Sequence, residues 1–325
     1  MNRKINQLID SHLGTIFPGC IIGIGGKNKK PHIIARGIRN NVIPVLPSDR
    51  FDIASLTKAI LHYGVLKYAP EILDQPICDW ITMTGKHRER ITVRHLISFG
   101  VEYGTPPLSQ CASKDEALRY ILGGDLKYPP GHSWRYTNIS SILLGKVIAR
   151  HFDISLENFF DAYIFKPLDM KHTSYQVPES NFIYPEGECH GIQDEVTKLI
   201  GPNGSAGLVS TCADLILFGN ALLDLPYEMK YAMVQPVYPE PYNTFGLGFG
   251  LWKNNEAKII DGRGNIIPIL RKNGFSGAHI TIAPFHNTVM VSLGNICYPQ
   301  RPKRRIREVY TAFTYRALQI ALTDY

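Results

Sequence analysis

The sequence predicts an α/β fold whose sheet is supplied by both ends of the chain, with a mostly helical stretch inserted between them. Two observations carry that expectation. Strand-like runs cluster at 20–37 and again at 245–293, whereas 69–240 reads as helices and long loops. Each chain end also carries an amphipathic helix able to cover a sheet face.

Taken in order, Ile5, Leu8, Ile9, Leu13 and Ile16 recur at helical spacing, so 3–16 reads as a helix stopped by Pro18-Gly19. Residues 20–26 and 31–37 read as strands joined by a hairpin turn at Lys27-Asn28-Lys29-Lys30. Pro44, Pro47 and Ser48 mark a loop, and the pattern from Ser55 to about Tyr68 is helical. Ser140–Arg150, Leu156–Phe165 and Ala213–Leu223 are the clearest helices of the middle. Strand signals return at Phe245–Trp252, Ile266–Arg271, Ala278–Ala283 and Thr288–Leu293. A long helix, about 303–323, ends the chain with Ile306, Val309, Tyr310, Phe313 and Leu318 on one face. The expected division is a sheet lobe from 1–66 and 240–325, a mostly helical lobe from 67–239, and an active site between them.

Composition narrows the function classes. At 44% hydrophobic and 19% charged residues the chain has material for a sizeable core and is not mainly disordered. Its net charge of +7 is mild for this length and does not call for nucleic acid as a partner. The basic run Arg301-Pro302-Lys303-Arg304-Arg305-Ile306-Arg307 reads as a solvated helix face. Six cysteines without a Cys-x-x-Cys pair, and histidines without His-Glu-x-x-His, give no metal site, and no cofactor is expected. The cysteines fit reduced, mostly buried thiols. With no apolar signal core and no 18-residue apolar run, a cytoplasmic location without a membrane span is expected. Asn138-Ile139-Ser140 and Asn203-Gly204-Ser205 match glycosylation sequons, and carry no weight without a signal peptide. Oligomeric state is not legible.

Ser55-Leu56-Thr57-Lys58 puts a hydroxyl and an amine one helical turn apart, where the lysine can take the serine proton if its own pKa is depressed. Tyr136-Thr137-Asn138 is a Tyr-x-Asn. Each motif occurs once, about as often as chance allows in this composition, so neither means much alone. Gly274-Phe275-Ser276-Gly277-Ala278 lacks the last glycine of a nucleophile elbow and lies between strands, so Ser276 reads as substrate-adjacent or structural.

Context gives the motifs meaning. Phe51-Asp52-Ile53-Ala54-Ser55-Leu56-Thr57-Lys58 closely resembles the nucleophile segment of serine β-lactamases and penicillin-binding proteins, nearest the class C group with its esterases and D-amino-acid peptidases. Ile91–Ser98 resembles that group's approach to the helical lobe, and Pro129–Asn138 its second active-site motif. Pro167–Thr173 and Ser205–Thr211 are similar to further landmarks, and Lys272-Asn273-Gly274-Phe275 falls where a Lys/His-Thr/Ser-Gly strand belongs. The matches run in family order from about 18 to 299.

The resemblance implies a β-lactamase/transpeptidase-like fold, with an antiparallel sheet flanked by helices and an inserted helical lobe. It implies a serine hydrolase acting through an acyl-enzyme on a small-molecule β-lactam, ester or amide. Ser55 would be the nucleophile, with Lys58 and Tyr136 managing its proton. The backbone N–H groups of Ser55 and Phe275 would form the oxyanion hole. Asn138, Lys272, Asn273, Gly274 and Ser276 would line the substrate site, Lys272 attracting a substrate carboxylate. Two departures bear on substrate. Asn273 stands where the group has Thr or Ser, and Ser98-Phe99-Gly100-Val101 replaces a His-Thr-Ser-Gly-like run. Carboxylesterase, D-alanyl peptidase and acyltransferase activities share the same residues. The rival of another class is a non-catalytic binding or scaffold member, against which the retention of Ser55, Lys58, Tyr136 and Lys272 together argues.

Overall fold

The computed structural model describes residues 2–40, 42–104, 108–185, 191–192, 194–238, 246–251, 259–260, 263–297 and 304–324. Phe245 and Trp252, the ends of one expected strand, lie outside them, as do Cys189 and residues 301–303 of the basic run. Helix α1 (Asn2–Asp10) leads into β1 (Gly19–Gly25), β2 (His32–Arg39) and β3 (Ile43–Pro44). There follow β4 (Arg50–Asp52), α2 (Leu56–Tyr68), α3 (Val93–Ile97), α4 (Lys114–Leu122), α5 (Asn138–His151) and α6 (Leu156–Phe159), the last continued by a π-turn over Phe160–Phe165. Next come β5 (Phe182–Ile183), α7 (Glu195–Ile200), β6 (Val209–Ser210), α8 (Cys212–Leu223) and α9 (Tyr227–Val234). The chain closes with β7 (Gly250–Leu251), β8 (Leu270–Asn273), β9 (Ala278–Ala283), β10 (Thr288–Gly294) and α10 (Arg304–Asp324).

Seven strands form one sheet in the order β3-β2-β1-β10-β9-β8-β7. Every neighbouring pair in it is antiparallel. The seam between chain ends is β1 against β10, with Ile22 opposite Ser292. All seven residues of β1 are buried because both of its faces are covered. Cys20, Ile22 and Ile24 pack with Ile5, Ile9, Tyr310 and Phe313 of α1 and α10. Ile21, on the other face, joins a core shared with α2, α5 and α8. Gly23 and Gly25 leave a trough there that the Ile216 side chain of α8 fills, and a Cβ at either position would collide with it. The mixed α/β class with an antiparallel sheet and flanking helices is therefore observed.

Besides the strand expected at Phe245–Trp252, of which only Gly250–Leu251 is strand among the described residues, three elements differ from the sequence expectation. Helix α1 stops at Asp10 rather than at residue 16. Ser11 and His12 turn their side chains back to the Leu8 carbonyl, and Gly14 then takes a φ of 74°. The strand expected at Ile266–Arg271 is shifted to Leu270–Asn273, because Pro268 has no N–H to give the ladder. Ile266 instead makes an isolated bridge to Ile260. Helix α8, read as part of the helical insert, packs directly on β1, β9 and β10.

The described cysteines are free thiols, with Cys20, Cys212 and Cys297 buried and Cys78 exposed. Among the described residues no helix is long and apolar enough to cross a membrane.

Candidate active site

Strand β4 enters α2 through a tight turn. The Ala54 N–H donates to the Asp52 carboxylate at 2.8 Å, and Ala54 adopts a φ of 46°, a conformation uncommon for a residue with a Cβ. The kink leaves Ser55 at the N-cap of α2 with its hydroxyl unused for capping. Helix α2 is buried all round from Leu56 to Leu66, lying between α5 and strands β8 and β9. Helical spacing then sets Lys58 below Ser55.

Lys58 is fully buried and its ammonium is held on three sides. It donates to Ser55 Oγ at 3.1 Å, to Asn138 Oδ1 at 2.9 Å and to the Ser205 carbonyl at 2.7 Å. Asn138 is in place because Thr137 caps α5, accepting from the Ile139 N–H at 3.2 Å. Ser205 is fixed in turn by Asn203, whose Oδ1 accepts from the Ser205 N–H at 2.8 Å and from its hydroxyl at 2.6 Å.

Tyr136 leads into the same helix. It keeps 39% of its surface exposed along the cleft, yet its hydroxyl reaches Ser55 and Lys58. Burial alone would raise its pKa. The positive charges of Lys58 and Lys272, with hydrogen bonds donated by Ser55 and Lys58, outweigh that and bring it down to about 8. Lys272, on β8, is 3% exposed. Burial lowers its pKa to about 8, the Tyr136 charge opposing and Lys58 adding to the shift. Its Nζ lies 5.0 Å from the Phe99 ring centroid and 5.1 Å from that of Tyr136. His62, buried below with Nδ1 2.8 Å from the Gly248 carbonyl oxygen, is held neutral by burial and then by the Lys272 charge.

Residues 274–277 form the turn between β8 and β9. The Gly277 N–H donates to the Gly274 carbonyl at 3.2 Å, and Gly277 has a φ of 105°. In a trans peptide the N–H lies opposite the C=O, so the Phe275 N–H is directed out of the turn. Two contacts stitch this turn to the Ser55 turn. Gly274 approaches the Ile53 carbonyl so closely that a Cβ would collide with it, and the Ser276 hydroxyl donates to the Asp52 carbonyl at 2.5 Å.

A cleft of about 510 Å³ opens over these groups. Of the residues singled out in the sequence, Ser55, Tyr136, Asn138 and Phe275 line it. Lys58 and Lys272 are buried beside them, each facing the Tyr136 ring. Asn273, Gly274 and Ser276 do not line it. Asn273 is half-buried opposite His279, while Gly274 and Ser276 serve the turn-to-turn contact.

Sequence reasoning missed three contributors. Ser205 gives only a carbonyl, and was legible as the start of a landmark segment and as part of a sequon but not as a partner of Lys58. Phe99 takes a φ of 60° and sets its ring 4.8 Å from that of Tyr136. The departure at Ser98–Val101 was the one signal that pointed to it. Arg135, beside Tyr136, also lines the cleft. Chemically, a hydroxyl linked to a fixed ammonium and to a phenol of lowered pKa can lose its proton and later see it delivered to a leaving group.

The chain is similar to several known proteins. A β-lactamase from Yersinia enterocolitica is 26% identical over 298 residues, covering 79% of this chain and 76% of that protein. A putative D-alanyl-D-alanine carboxypeptidase from Salmonella heidelberg is 25% identical over 71% of this chain, which spans only 62% of that relative. Among solved structures, a hydrolase with promiscuous acyltransferase activity superposes with a TM-score of 0.76 over 98% of both chains, at 18% identity. The family profile described as Beta-lactamase matches residues 18–312, nearly the whole chain, and the chain belongs to the β-lactamase family.

Proposed function

We propose that this chain is a serine hydrolase in which Ser55 forms the acyl-enzyme. The observation that carries the proposal is the Lys58 ammonium joining Ser55 Oγ and Asn138 Oδ1 beneath an open cleft. Tyr136 as phenolate takes the Ser55 proton while Oγ bonds to the substrate carbonyl carbon. The oxyanion so formed accepts from the N–H groups of Ser55 and Phe275. As the tetrahedral centre collapses, the bond to the leaving group breaks and the Tyr136 proton goes to that group. Water then gives a proton to the same phenolate as its oxygen bonds to the acyl carbon, and when the bond to Ser55 Oγ breaks Tyr136 returns that proton to Oγ. Tyr136 is preferred as base because the neighbouring ammonium groups pull its pKa to about 8.

Relatives named as β-lactamase, D-alanyl-D-alanine carboxypeptidase and acyltransferase-active hydrolase support acyl transfer as the shared chemistry. Within that class a simple neutral ester fits best. Asn273 offers no hydroxyl to a substrate carboxylate and does not line the cleft. Incubation with a fluorophosphonate, followed by peptide mapping, should place the adduct on Ser55 and give none in Ser55→Ala. Labelling at another serine refutes the assignment.

A further inference from the structure

Arg307 belongs to the basic run that reads in sequence as a solvated helix face, yet it does not behave as one. It lies in the first turn of α10, and its guanidinium carbon sits 3.9 Å from the centroid of the Phe275 ring. Its Nε is buried with no hydrogen-bond partner among the described residues. A guanidinium N–H that surrenders water without an acceptor is costly, and the ring face it has taken instead offsets part of that loss. The other side of Phe275 is held as well. The buried Cys297 thiol donates to the Phe275 carbonyl at 3.2 Å. The preceding peptide is pinned by the Gly277 N–H on the Gly274 carbonyl.

On the acyl-enzyme reading above, Phe275 contributes nothing but its backbone N–H, and that group must keep its aim on the oxyanion. The rotamer a side chain can take is coupled to its backbone φ/ψ, so a ring held in one rotamer narrows the conformations open to the backbone that carries it. We infer that Arg307 is a positioning residue: its stack on the Phe275 ring, backed by Cys297 on the carbonyl, fixes the direction of the Phe275 N–H. The planar guanidinium suits the role, because it stacks on a ring as a compact ammonium cannot. The contact also joins α10, at the end of the chain, to the turn that faces Ser55.

The test uses the full chain, a neutral p-nitrophenyl ester and an arylboronic acid, whose tetrahedral adduct sets an oxygen where the oxyanion forms. Arg307→Met should lower kcat about ten- to a hundredfold with KM little changed, a fraction of what losing an oxyanion donor outright costs. Boronate affinity should fall by a similar factor. Arg307→Lys should recover part of the loss. In a Phe275→Ala background, which keeps the N–H and removes the ring, Arg307→Met should cost nothing more. If Arg307→Met fails to fold, Cys297→Ala tests the other side of the clamp and should lower kcat severalfold with the same boronate signature. Unchanged kcat in the folded variant overturns the inference. So do losses of Arg307→Met and Phe275→Ala that multiply, or a loss seen in KM alone for substrates bearing a carboxylate. Wild-type protein that fluorophosphonate does not label at Ser55 refutes the acyl-enzyme reading and this inference with it. Normal labelling with an indifferent Arg307→Met refutes the inference alone.

Discussion

Lys272 shows how one buried charge can set the working pH of a site. On the proposed mechanism Tyr136 acts as base only as phenolate, which appears as pH rises through its pKa of about 8. Both neighbouring ammonium groups favour that form, so removing one pushes the pKa upward. Lys272→Met should therefore move the ascending limb of kcat/KM for a neutral ester to higher pH, by roughly 1–3 units. At pH 7 that is a loss of about tenfold or more, recovered in part toward pH 10. Lys272 loses its own proton near pH 8, so the wild-type profile should also flatten or fall above that point. That feature should be absent in the variant. A limb that stays in place means another group sets it. At this scale the sequence was informative wherever function needs a particular side chain. Ser55, Lys58, Tyr136 and Asn138, each named from its motif, lie in one hydrogen-bonded cluster. Sequence reasoning assigned no role to the Ser205 carbonyl, which Lys58 meets across 147 residues of chain through a fold contact that no local pattern announces.

The candidate site is made where two turns touch, one entering α2 and the other joining β8 to β9. Gly274 lets them meet, since only a residue without a Cβ clears the Ile53 carbonyl. Gly274→Ala should force the turns apart, costing about 1–3 kcal/mol of stability as overpacking does. It should cost more in rate, because the Phe275 N–H moves away from Ser55. Melting and ester turnover on one preparation check this, and a variant with full turnover and an unchanged melt shows that the close approach is dispensable. Most elements were readable from periodicity: β1, β2, β9, β10, α2 and α10 lie within a few residues of the expected positions. The exceptions have local causes. Gly14 and the side chains of Ser11 and His12 end α1 early, and Pro268 displaces β8. No local pattern announces that α8 packs on the sheet. Its complement, the glycine trough of β1, is nearly two hundred residues away and reads in sequence simply as part of a strand.

For the molecule as a whole, the two chain ends are one structural unit. Strands β1 and β10 pair along their length, and α1 and α10 share a core on the same face of the sheet. A chain ending before Thr288 lacks β10 and α10 together. It should lose the cooperative melt rather than merely soften, and should expose apolar surface to a dye such as ANS. A truncated chain that melts cooperatively at the wild-type temperature refutes that dependence. The sheet built from both ends was foreseen from strand-like runs at each end, because hydrophobic alternation survives whatever is inserted between.

That seam also dictates an order of events at the ribosome. Strand β1, whose residues are all apolar or glycine, emerges long before the strand that zips to it. Until β10 follows, β1 has at most the β2 hairpin to satisfy one edge, and the other edge stays open to any passing strand. Closing so long a loop is slow, and no nascent intermediate can finish the sheet. The turn between β8 and β9 is laid against a strand order that forms only once β10 has followed it out. A nascent chain should therefore carry a half-paired β1 until β10 emerges, and most need a chaperone just before it does.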